Sequence, residues 1–568
     1  DVRAFYRFYS LQMEACDCPA GLVTQGGRYA VCMLDRKELR PSRWATTKNG
    51  YITVASEIGV WDYAPKDVIA KGRVGPGQML VIDTMTGQIM DTKTIATLLK
   101  KAHPYRKWLR EEATRIRDDE RIEEQIASEA CRGDRLKALQ KMYHITNEER
   151  TEIIRPNAEN GQEPVGSMGD DTPMAVLSQQ IRHVGDFFRQ QFAQVTNPPI
   201  DPLRESIVMS LQTCLGAQTN VFAPSAKDAH RIILSSPVLS ASKMQQIETL
   251  EDPAFKIARI DLNYQPELSL AEAITSICEK VADAIRSGHP LIVLSDRNID
   301  ADKVPANAIM ATGAVHHYLI AQGIRTDANL IIETGLARDS HQIAVLIGFG
   351  ATCVYPYLAY DVIADLVATG ELLGDPIQAR VNFRKGLDKG LLKILSKMGI
   401  STVVSYRGAQ LFEAVGLSEE VVDLCFKGVQ SRIKGATFAD LAADQAQLAA
   451  NAFKRRAPLD QGGLLKFVFN KEYHAFNPDV INSLHTAVRT GDYDNYRNYA
   501  DLVNSRPVAT LRDLLQLKTD NPIDIEEVED MKNILSRFDS AGMSLGALSP
   551  EAHESIAMAM NTIGGRSN

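Results

Sequence analysis

The sequence lacks the features that would place it in a specialised class of protein. It contains no run of about 18 apolar residues, the length that a transmembrane helix needs. Only 8 of its 568 residues are cysteine and no signal-peptide pattern is visible, so we expect a reducing, cytoplasmic setting. A net charge of −8 gives no whole-chain attraction to nucleic acid or to an anionic membrane.

What is present is typical of a soluble globular protein. With 45% hydrophobic and 24% charged residues, a chain of this length predicts roughly three or four domains. The sequence begins with Asp1 rather than Met, and 564–568 reads as a loop leaving a helix, with Gly564 suited to a left-handed helix end. We therefore expect a piece of a longer polypeptide; a processed mature protein is the alternative.

The pattern of secondary structure changes along the chain. Residues 20–90 contain short β-type runs separated by turn sequences at 26–27, 49–50 and 86–87, which predicts antiparallel sheet. Residues 105–150 switch to a highly charged helical pattern, typical of a solvated linker surface.

Beyond residue 255, apolar strands alternate with helices. Strands are predicted over 290–294, 329–333 and 351–355, with helices over 306–321 and 341–347 between them. Such nearly uninterrupted apolar strands indicate a parallel α/β sheet that is covered on both faces. Residues 386–440 are predicted to be mainly helical with a short strand at 402–405, and 477–535 to be polar and helical.

Three motifs suggest ligands but have simpler explanations. The segment 348–350 (Gly-Phe-Gly) lies after a helix and before a strand, the reverse of the order in a dinucleotide-binding loop, and is better read as a turn. Cys16, Cys18 and Cys32 lack a fourth ligand for zinc, so no metal site is predicted. His316 and His317 point about 100° apart on a helix and are not expected to hold one ion together; His341, at the start of another helix, is likewise read as an ordinary polar residue.

Four charged residues follow strands of the predicted parallel sheet. Asp296, Arg297, Glu333 and Arg338 lie at or just beyond the carboxyl ends of these strands, where ligands bind in α/β folds. One hypothesis is that these residues line a ligand pocket, either working or vestigial. The alternative is that they are ordinary polar residues at strand ends. No stretch of the first 520 residues contains a self-sufficient catalytic set.

The last fifty residues differ from the rest of the chain in their residue pattern. Residues 538–548 are predicted to form a strand rich in small residues, and Ser549 and Pro550 then open a helix as N-cap and first helical residue. Small side chains let a flat ring approach backbone amides. Close packing inside a barrel explains the same residues equally well.

Several long stretches resemble glutamate synthase large subunits of the bacterial, NADPH-type family. They are GSMGDDTP at 166–173, FFRQQFAQVTNPPIDPLRE at 187–205, LIGFGA at 346–351 with YPYLA at 355–359, KILSKMGIS at 393–401, and MSLGALSPEAH at 543–553. One departure stands at 16–19, where Cys-Asp-Cys-Pro replaces the Trp-Asp-Gly-Pro of relatives. The replacement puts the local packing in doubt.

The resemblance implies a multidomain α/β fold with four parts. These are the end of an Ntn-type class II amidotransferase α+β domain (1–115), a charged helical linker (116–164), an α/β central domain with a parallel sheet (165–520), and the first strand–helix unit of an FMN-binding (β/α)₈ barrel (521–568). By position, Met543, Ser544 and Gly546 match the strand beside the flavin ring. The family's nucleophilic Cys lies upstream, and its iron–sulfur ligands and most of its flavin site lie downstream.

The resemblance also implies an activity. The family makes L-glutamate from L-glutamine and 2-oxoglutarate through released ammonia, with FMN and a 3Fe–4S cluster on the large subunit and FAD and NADPH on a small flavoprotein partner subunit. We expect the present segment to line the ammonia route, to carry no catalytic residue, and to be inactive alone. A non-catalytic α/β scaffold and a zinc protein are the alternatives.

Overall fold

The computed structural model describes residues 1–14, 20–35, 40–57, 59–164, 170–191, 201–203, 206–454 and 456–567. Within these ranges the chain forms two compact units, Asp1–Ala509 and Thr510–Asn568. None of the helices in these ranges is both long and apolar enough to cross a bilayer.

The first hundred residues form antiparallel sheet flanked by helices. The elements are α1 (Val2–Tyr9), β1 (Gly21–Gly26), β2 (Tyr29–Leu34), β3 (Ser42–Thr47), β4 (Ile52–Ala55), β5 (Val68–Val74), β6 (Met79–Asp83), β7 (Ile89–Asp91), α2 (Thr92–Ala102), α3 (Tyr105–Glu111) and β8 (Thr114–Arg115). The strands pair in the orders β1-β2-β6-β7 and β4-β3-β5. Every pair in these two sheets is antiparallel, which confirms the prediction for 20–90.

The charged stretch that follows folds into short helices against the core. The elements are α4 (Glu120–Ser128), α5 (Gly133–Met142), α6 (Asn147–Glu149), a π-helical turn (Arg150–Ile154) and α7 (Arg155–Asn160). Leu136, Met142 and Ile154 are buried in the main hydrophobic core. Glu123 and Glu148 are buried as well. The expectation of a solvated surface is therefore wrong here, because apolar residues at helical spacing dock this segment. Its buried carboxylates accept hydrogen bonds from distant backbone groups, Glu123 from Ser242 N and Glu148 from Gly463 N.

A parallel sheet forms the centre of the larger unit. The elements are β9 (Phe188–Gln190), β10 (Thr213–Leu215), β11 (Ile232–Leu234), α8 (Ala241–Glu248), β12 (Ile257–Asp261), β13 (Asn263–Tyr264), α9 (Leu270–Arg286), β14 (Leu291–Ser295), β15 (Val304–Pro305), α10 (Ala308–Ala321), β16 (Asn329–Glu333), α11 (Ser340–Gly348), β17 (Cys353–Tyr355) and α12 (Tyr357–Ala368). Strands β12-β14-β16-β17 are hydrogen-bonded in that order and all run parallel. Every residue of β14 and β16 is buried, as the apolar runs predicted.

The segment after the sheet departs from its prediction. The elements are α13 (Pro376–Met398), α14 (Val403–Tyr406), β18 (Phe412–Leu417), α15 (Glu419–Cys425), β19 (Gln430–Ala436) and α16 (Phe438–Ala452). The predicted strand at 402–405 is wrong, because Val403–Tyr406 is a short helix despite its β-branched residues. Strand β18 pairs with both β19 and β9, which sequence patterning missed because Glu413 and Gly416 interrupt its apolar pattern.

The polar helices near the end of the larger unit are as predicted. Helices α17 (Pro478–Thr490) and α18 (Tyr493–Asn504) form an antiparallel hairpin across a short turn at Gly491. Gly491 has a φ of +65°, the left-handed conformation typical of a helix end.

The smaller unit is mostly irregular. It contains α19 (Met531–Leu535) and α20 (Pro550–Ile563), and Ser549 caps α20 by accepting a hydrogen bond from Ala552 N, as predicted. The predicted strand over 538–548 is wrong: this segment is extended or turned, with a single bridge between Asp539 and Arg566. A strand needs a neighbour to pair with, and the described part of this unit offers only that one bridge.

Candidate functional site

The carboxyl edge of the parallel sheet holds a network of charges centred on Glu333. Glu333 ends β16, and its side chain is only 2% exposed. Its carboxylate accepts hydrogen bonds from Ser295 Oγ (2.5 Å), from Arg297 Nη1 (3.1 Å) and from Arg259 Nη1. Two guanidinium groups therefore share one buried carboxylate, and Arg259 also pairs with Glu248 on α8.

Strand geometry explains which predicted residues meet. Successive side chains of an extended chain point to opposite faces, so Ser295 and Arg297 reach Glu333 while Asp296 points away. The Asp296 carboxylate instead accepts hydrogen bonds from Thr334 Oγ1 (2.5 Å) and Gly335 N (3.0 Å). Burial raises the pKa of Asp296 to about 7, although these two hydrogen bonds oppose the shift.

Arg338 lies outside this network. It is fully buried, and its guanidinium bonds Glu149 Oε1 (2.8 Å) and the carbonyl oxygen of Leu336 (3.1 Å). A further contact joins it to the ring of His183. The sequence placed four residues in one pocket, whereas the structure joins Arg297 and Glu333, turns Asp296 to the other face, and uses Arg338 to anchor the charged helical segment.

A cavity of about 390 Å³ opens beside Glu333. Its charged lining includes Arg259, Arg297, Asp361 and Arg380 as well as Glu333. Burial raises the pKa of Asp361 to about 6, with Arg297 and then Arg380 opposing the shift. Mixed charge of this kind suits a polar ligand or a buried structural network.

The cavity has no arrangement for covalent catalysis. No cysteine, serine or histidine is among its described lining residues, so a Ser–His or Cys–His pair is not present there. The charged groups around the cavity can bind and orient a polar ligand, or hold the sheet edge together.

Sequence reasoning missed Arg259, Asp361 and Arg380. Arg259 in β12 and Asp361 in α12 left a weak signal, because each has apolar residues close by in its element. Arg380 left none, because α13 contains several other charged residues. A charge at a buried position needs a partner. The sequence alone does not show which residue the fold places beside each of these charges.

The structure describes part of the cysteine and histidine motifs. Cys16 and Cys18 lie outside the described residues, and Cys32 is buried with its Sγ 3.2 Å from Ser42 Oγ. Among the described residues no group of three metal-ligating side chains converges. His341 Nε2 is 2.9 Å from the carbonyl oxygen of Gly185.

The glycine-containing turn at 348–350 is a helix-to-strand connection, as predicted. Gly350 has a φ of +113°, and a Cβ there would lie 2.4 Å from His316 Nδ1. His316 Nδ1 accepts a hydrogen bond from Arg325 Nε (2.9 Å), so this ring nitrogen carries no proton. Burial lowers the pKa of His316 to about 3, and nearby Arg325 adds to the effect.

The residues matched to the flavin strand lie in the smaller unit. Ser544 and Gly546 are exposed and Met543 is partly buried. A Cβ added at Gly546 would meet only Ser544 Oγ, at 3.6 Å, so the space beside this backbone is open. Open space beside a backbone of small residues leaves room for a flat ring to approach it.

Comparison with known proteins identifies related sequences along the whole chain. Residues 1–108 match the family model for class-II glutamine amidotransferases, residues 138–418 the glutamate synthase central domain, and residues 474–568 a conserved region in glutamate synthase. Solved flavocytochrome b2 structures align with a TM-score of 0.23 at 15% identity, too low to carry an argument.

The curated relatives are glutamate synthases. A ferredoxin-dependent glutamate synthase of Antithamnion sp. is 39% identical over all of this chain, which covers 38% of that protein. The NADPH glutamate synthase large chain of Bacillus subtilis (strain 168) is 37% identical, again over all of this chain and 37% of the relative. A chloroplastic/mitochondrial ferredoxin-dependent enzyme of Arabidopsis thaliana is 38% identical, with 36% of its length covered.

The chain thus spans little more than a third of the length of these relatives. The resemblance drawn from the sequence motifs is confirmed by the three domain matches and by identity over the entire chain. This chain belongs to the glutamate synthase family.

Proposed function

We propose that this chain is the middle part of a glutamate synthase that makes L-glutamate from L-glutamine and 2-oxoglutarate. The observation that carries the proposal is the order of the three matched regions: the amidotransferase end, the central domain and the start of the synthase region follow one another in a single chain. The three relatives described above, each matched along the whole chain, are named as glutamate synthases, which does not favour a non-catalytic scaffold.

In this proposal the chain contributes containment rather than chemistry. Ammonia released from glutamine must reach the reducing site without being protonated or lost to solvent. A wall of packed apolar side chains excludes water, and the strands β14 and β16 and their covering helices supply such packing. The proposed boundaries are 1–115 for the amidotransferase end, 116–164 for the helical connection, 165–520 for the central domain and 521–568 for the start of the synthase domain.

The proposal extends to cofactors and partners. Met543, Ser544 and Gly546 would lie beside FMN, which when bound supplies the electron pair that reduces 2-iminoglutarate. Iron–sulfur ligands for a 3Fe–4S cluster would come from sequence beyond this chain. We propose NADPH as the donor, acting through FAD on a small flavoprotein subunit in the cytoplasm. Because relatives of both donor types match, the donor is tested by supplying NADPH with that subunit, or reduced ferredoxin, in parallel assays.

The test compares this chain with the full-length enzyme that contains it. The 568-residue chain is expected to release no glutamate from glutamine and to form none from 2-oxoglutarate, whereas the full-length enzyme does both. Glutaminase activity of the 568-residue chain alone would contradict the proposal, since it would require a nucleophile within these residues. Full-length protein that makes no glutamate with either donor would also refute it.

A further inference from the structure

The opposite edge of the parallel sheet contains a second cavity with a different charge. It has a volume of about 140 Å³ and lies where β16 and β17 begin, next to Asn329 and Thr352. Three arginines from separate segments line it: Arg231 before β11, Arg325 before β16, and Arg407 after α14. We call it the arginine cavity. No Asp or Glu among the described residues lines it.

Neutral groups hold two of these arginines in place. Arg325 donates to His316 Nδ1 (2.9 Å) and to the carbonyl oxygens of Ala328 and Gly350 (2.8 Å each). Arg231 is 4% exposed and bonds the carbonyl oxygens of residues 216 and 217. These contacts fix the guanidinium positions without neutralising their charge.

The third arginine, Arg407, and one buried nitrogen of Arg231 lack hydrogen-bond partners in the part of the chain that the structure describes. The guanidinium of Arg407 makes no hydrogen bond or ion pair to another described residue. The Nε atom of Arg231 is buried and likewise lacks a partner within the described ranges. Of the acids that act on these arginines at longer range, Asp228 accepts a hydrogen bond from Ser225 N and Glu14 is exposed.

Grouping three cations with no anion is unfavourable. Burial, and then the charge of Arg407, lowers the pKa of Arg325 to about 9. Burial also lowers the pKa of Arg231 and of Arg407. All three remain protonated at neutral pH, so their mutual repulsion persists unless an anion enters.

We propose that the arginine cavity binds a small oxyanion of the phosphate or sulfate class. Guanidinium groups match the oxygens of such anions in geometry and charge. The cavity is well below the roughly 300–1,000 Å³ typical of pockets for drug-sized ligands, which favours an inorganic-sized anion over a nucleotide. Arg231 also contacts the carbonyl oxygen of Leu11 beyond α1, so the anion would sit at the junction between the first helix and the sheet.

The test is isothermal titration calorimetry of the 568-residue chain with inorganic phosphate, and separately with sulfate, at constant ionic strength set by NaCl. We expect saturable binding to one site per chain. Arg407→Gln should weaken it at least tenfold and Arg407→Lys less, while Arg110→Gln, on the exposed face of α3, should leave it unchanged. If neither anion binds saturably, or if Arg407→Gln binds as tightly as the unaltered chain, the proposal is wrong.

A stability measurement in buffer free of both anions distinguishes an anion from a protein partner. If Arg407 is an unpaired cation, Arg407→Gln leaves the melting temperature unchanged or raises it. The proposal is overturned if this variant melts at a lower temperature and the unaltered chain binds neither anion. Those two results together would show that a protein group already neutralises Arg407.

Discussion

Replacing Glu333 by Gln tests whether the charge network holds the sheet edge together. The variant keeps the shape of the side chain but removes the charge that Arg259 and Arg297 share. Removing one partner of a buried ion pair typically costs about 3–5 kcal/mol. The Arg259 and Arg297 side chains are 40% and 43% exposed, so water can partly resolvate them, and we expect a loss of about 2–3 kcal/mol.

The assay is urea unfolding followed by far-ultraviolet circular dichroism. The midpoint should fall while the slope of the transition stays constant, since the change affects the native state. Glu248→Gln is the matched control: this carboxylate also pairs with Arg259 but is 35% exposed, so it should cost at most about 1 kcal/mol. If Glu333→Gln costs no more than Glu248→Gln, the network does not stabilise the fold and the reasoning fails.

Three further predictions concern other parts of the chain. Because the pKa of Asp296 is raised to about 7, the folded chain retains a proton that the unfolded chain loses near pH 4, so the contribution of Asp296 to stability should fall by about 3 kcal/mol as pH rises from 4 to 7. Asp296→Asn should reduce that fall, as measured by urea unfolding at both pH values; an unchanged fall would contradict the assignment. Gly313→Ala should destabilise α10 by about 1–3 kcal/mol, because the added Cβ would lie 2.2 Å from the Cys425 carbonyl oxygen; Gly26→Ala, with open space, should not, and equal thermal stability of the two variants would argue against close helix packing. The 568-residue chain should bind no stoichiometric FMN, because the part of the proposed flavin site within 521–568 is one short segment beside one helix, too little to enclose the ring; a yellow protein after gel filtration with FMN would disprove this.

The regular parts of the fold followed from the sequence because their signals are local. The apolar runs at 290–294 and 329–333 predicted buried parallel strands, which the structure places at 291–295 and 329–333, and the Ser549–Pro550 pair predicted the start of α20. The prediction of a strand over 538–548 is wrong for the opposite reason. A strand forms only with a neighbouring strand, and no local pattern reveals whether one is present.

The site was only partly predictable for a similar reason. Strand ends point to Arg297 and Glu333, which the structure joins, whereas the alternation of side chains along a strand turns Asp296 to the other face. Arg338 follows β16, the strand that Glu333 ends, yet it binds Glu149, which lies 189 residues earlier in the sequence. The arginine cavity combines residues from three distant segments, so no local sequence motif predicts it. Long-range pairing of charges is decided by the fold, and single-sequence patterns do not encode it.

The claim that this chain walls off a passage for ammonia is tested most directly by isotope competition in the full-length enzyme that contains it. The enzyme is given glutamine labelled with ¹⁵N in the side-chain amide, 2-oxoglutarate, a reductant and a large excess of unlabelled ammonium, and the nitrogen in the newly formed glutamate is measured by mass spectrometry. Contained transfer predicts that this glutamate keeps the ¹⁵N label. Dilution of the label to the isotopic composition of the bulk ammonium would contradict the account.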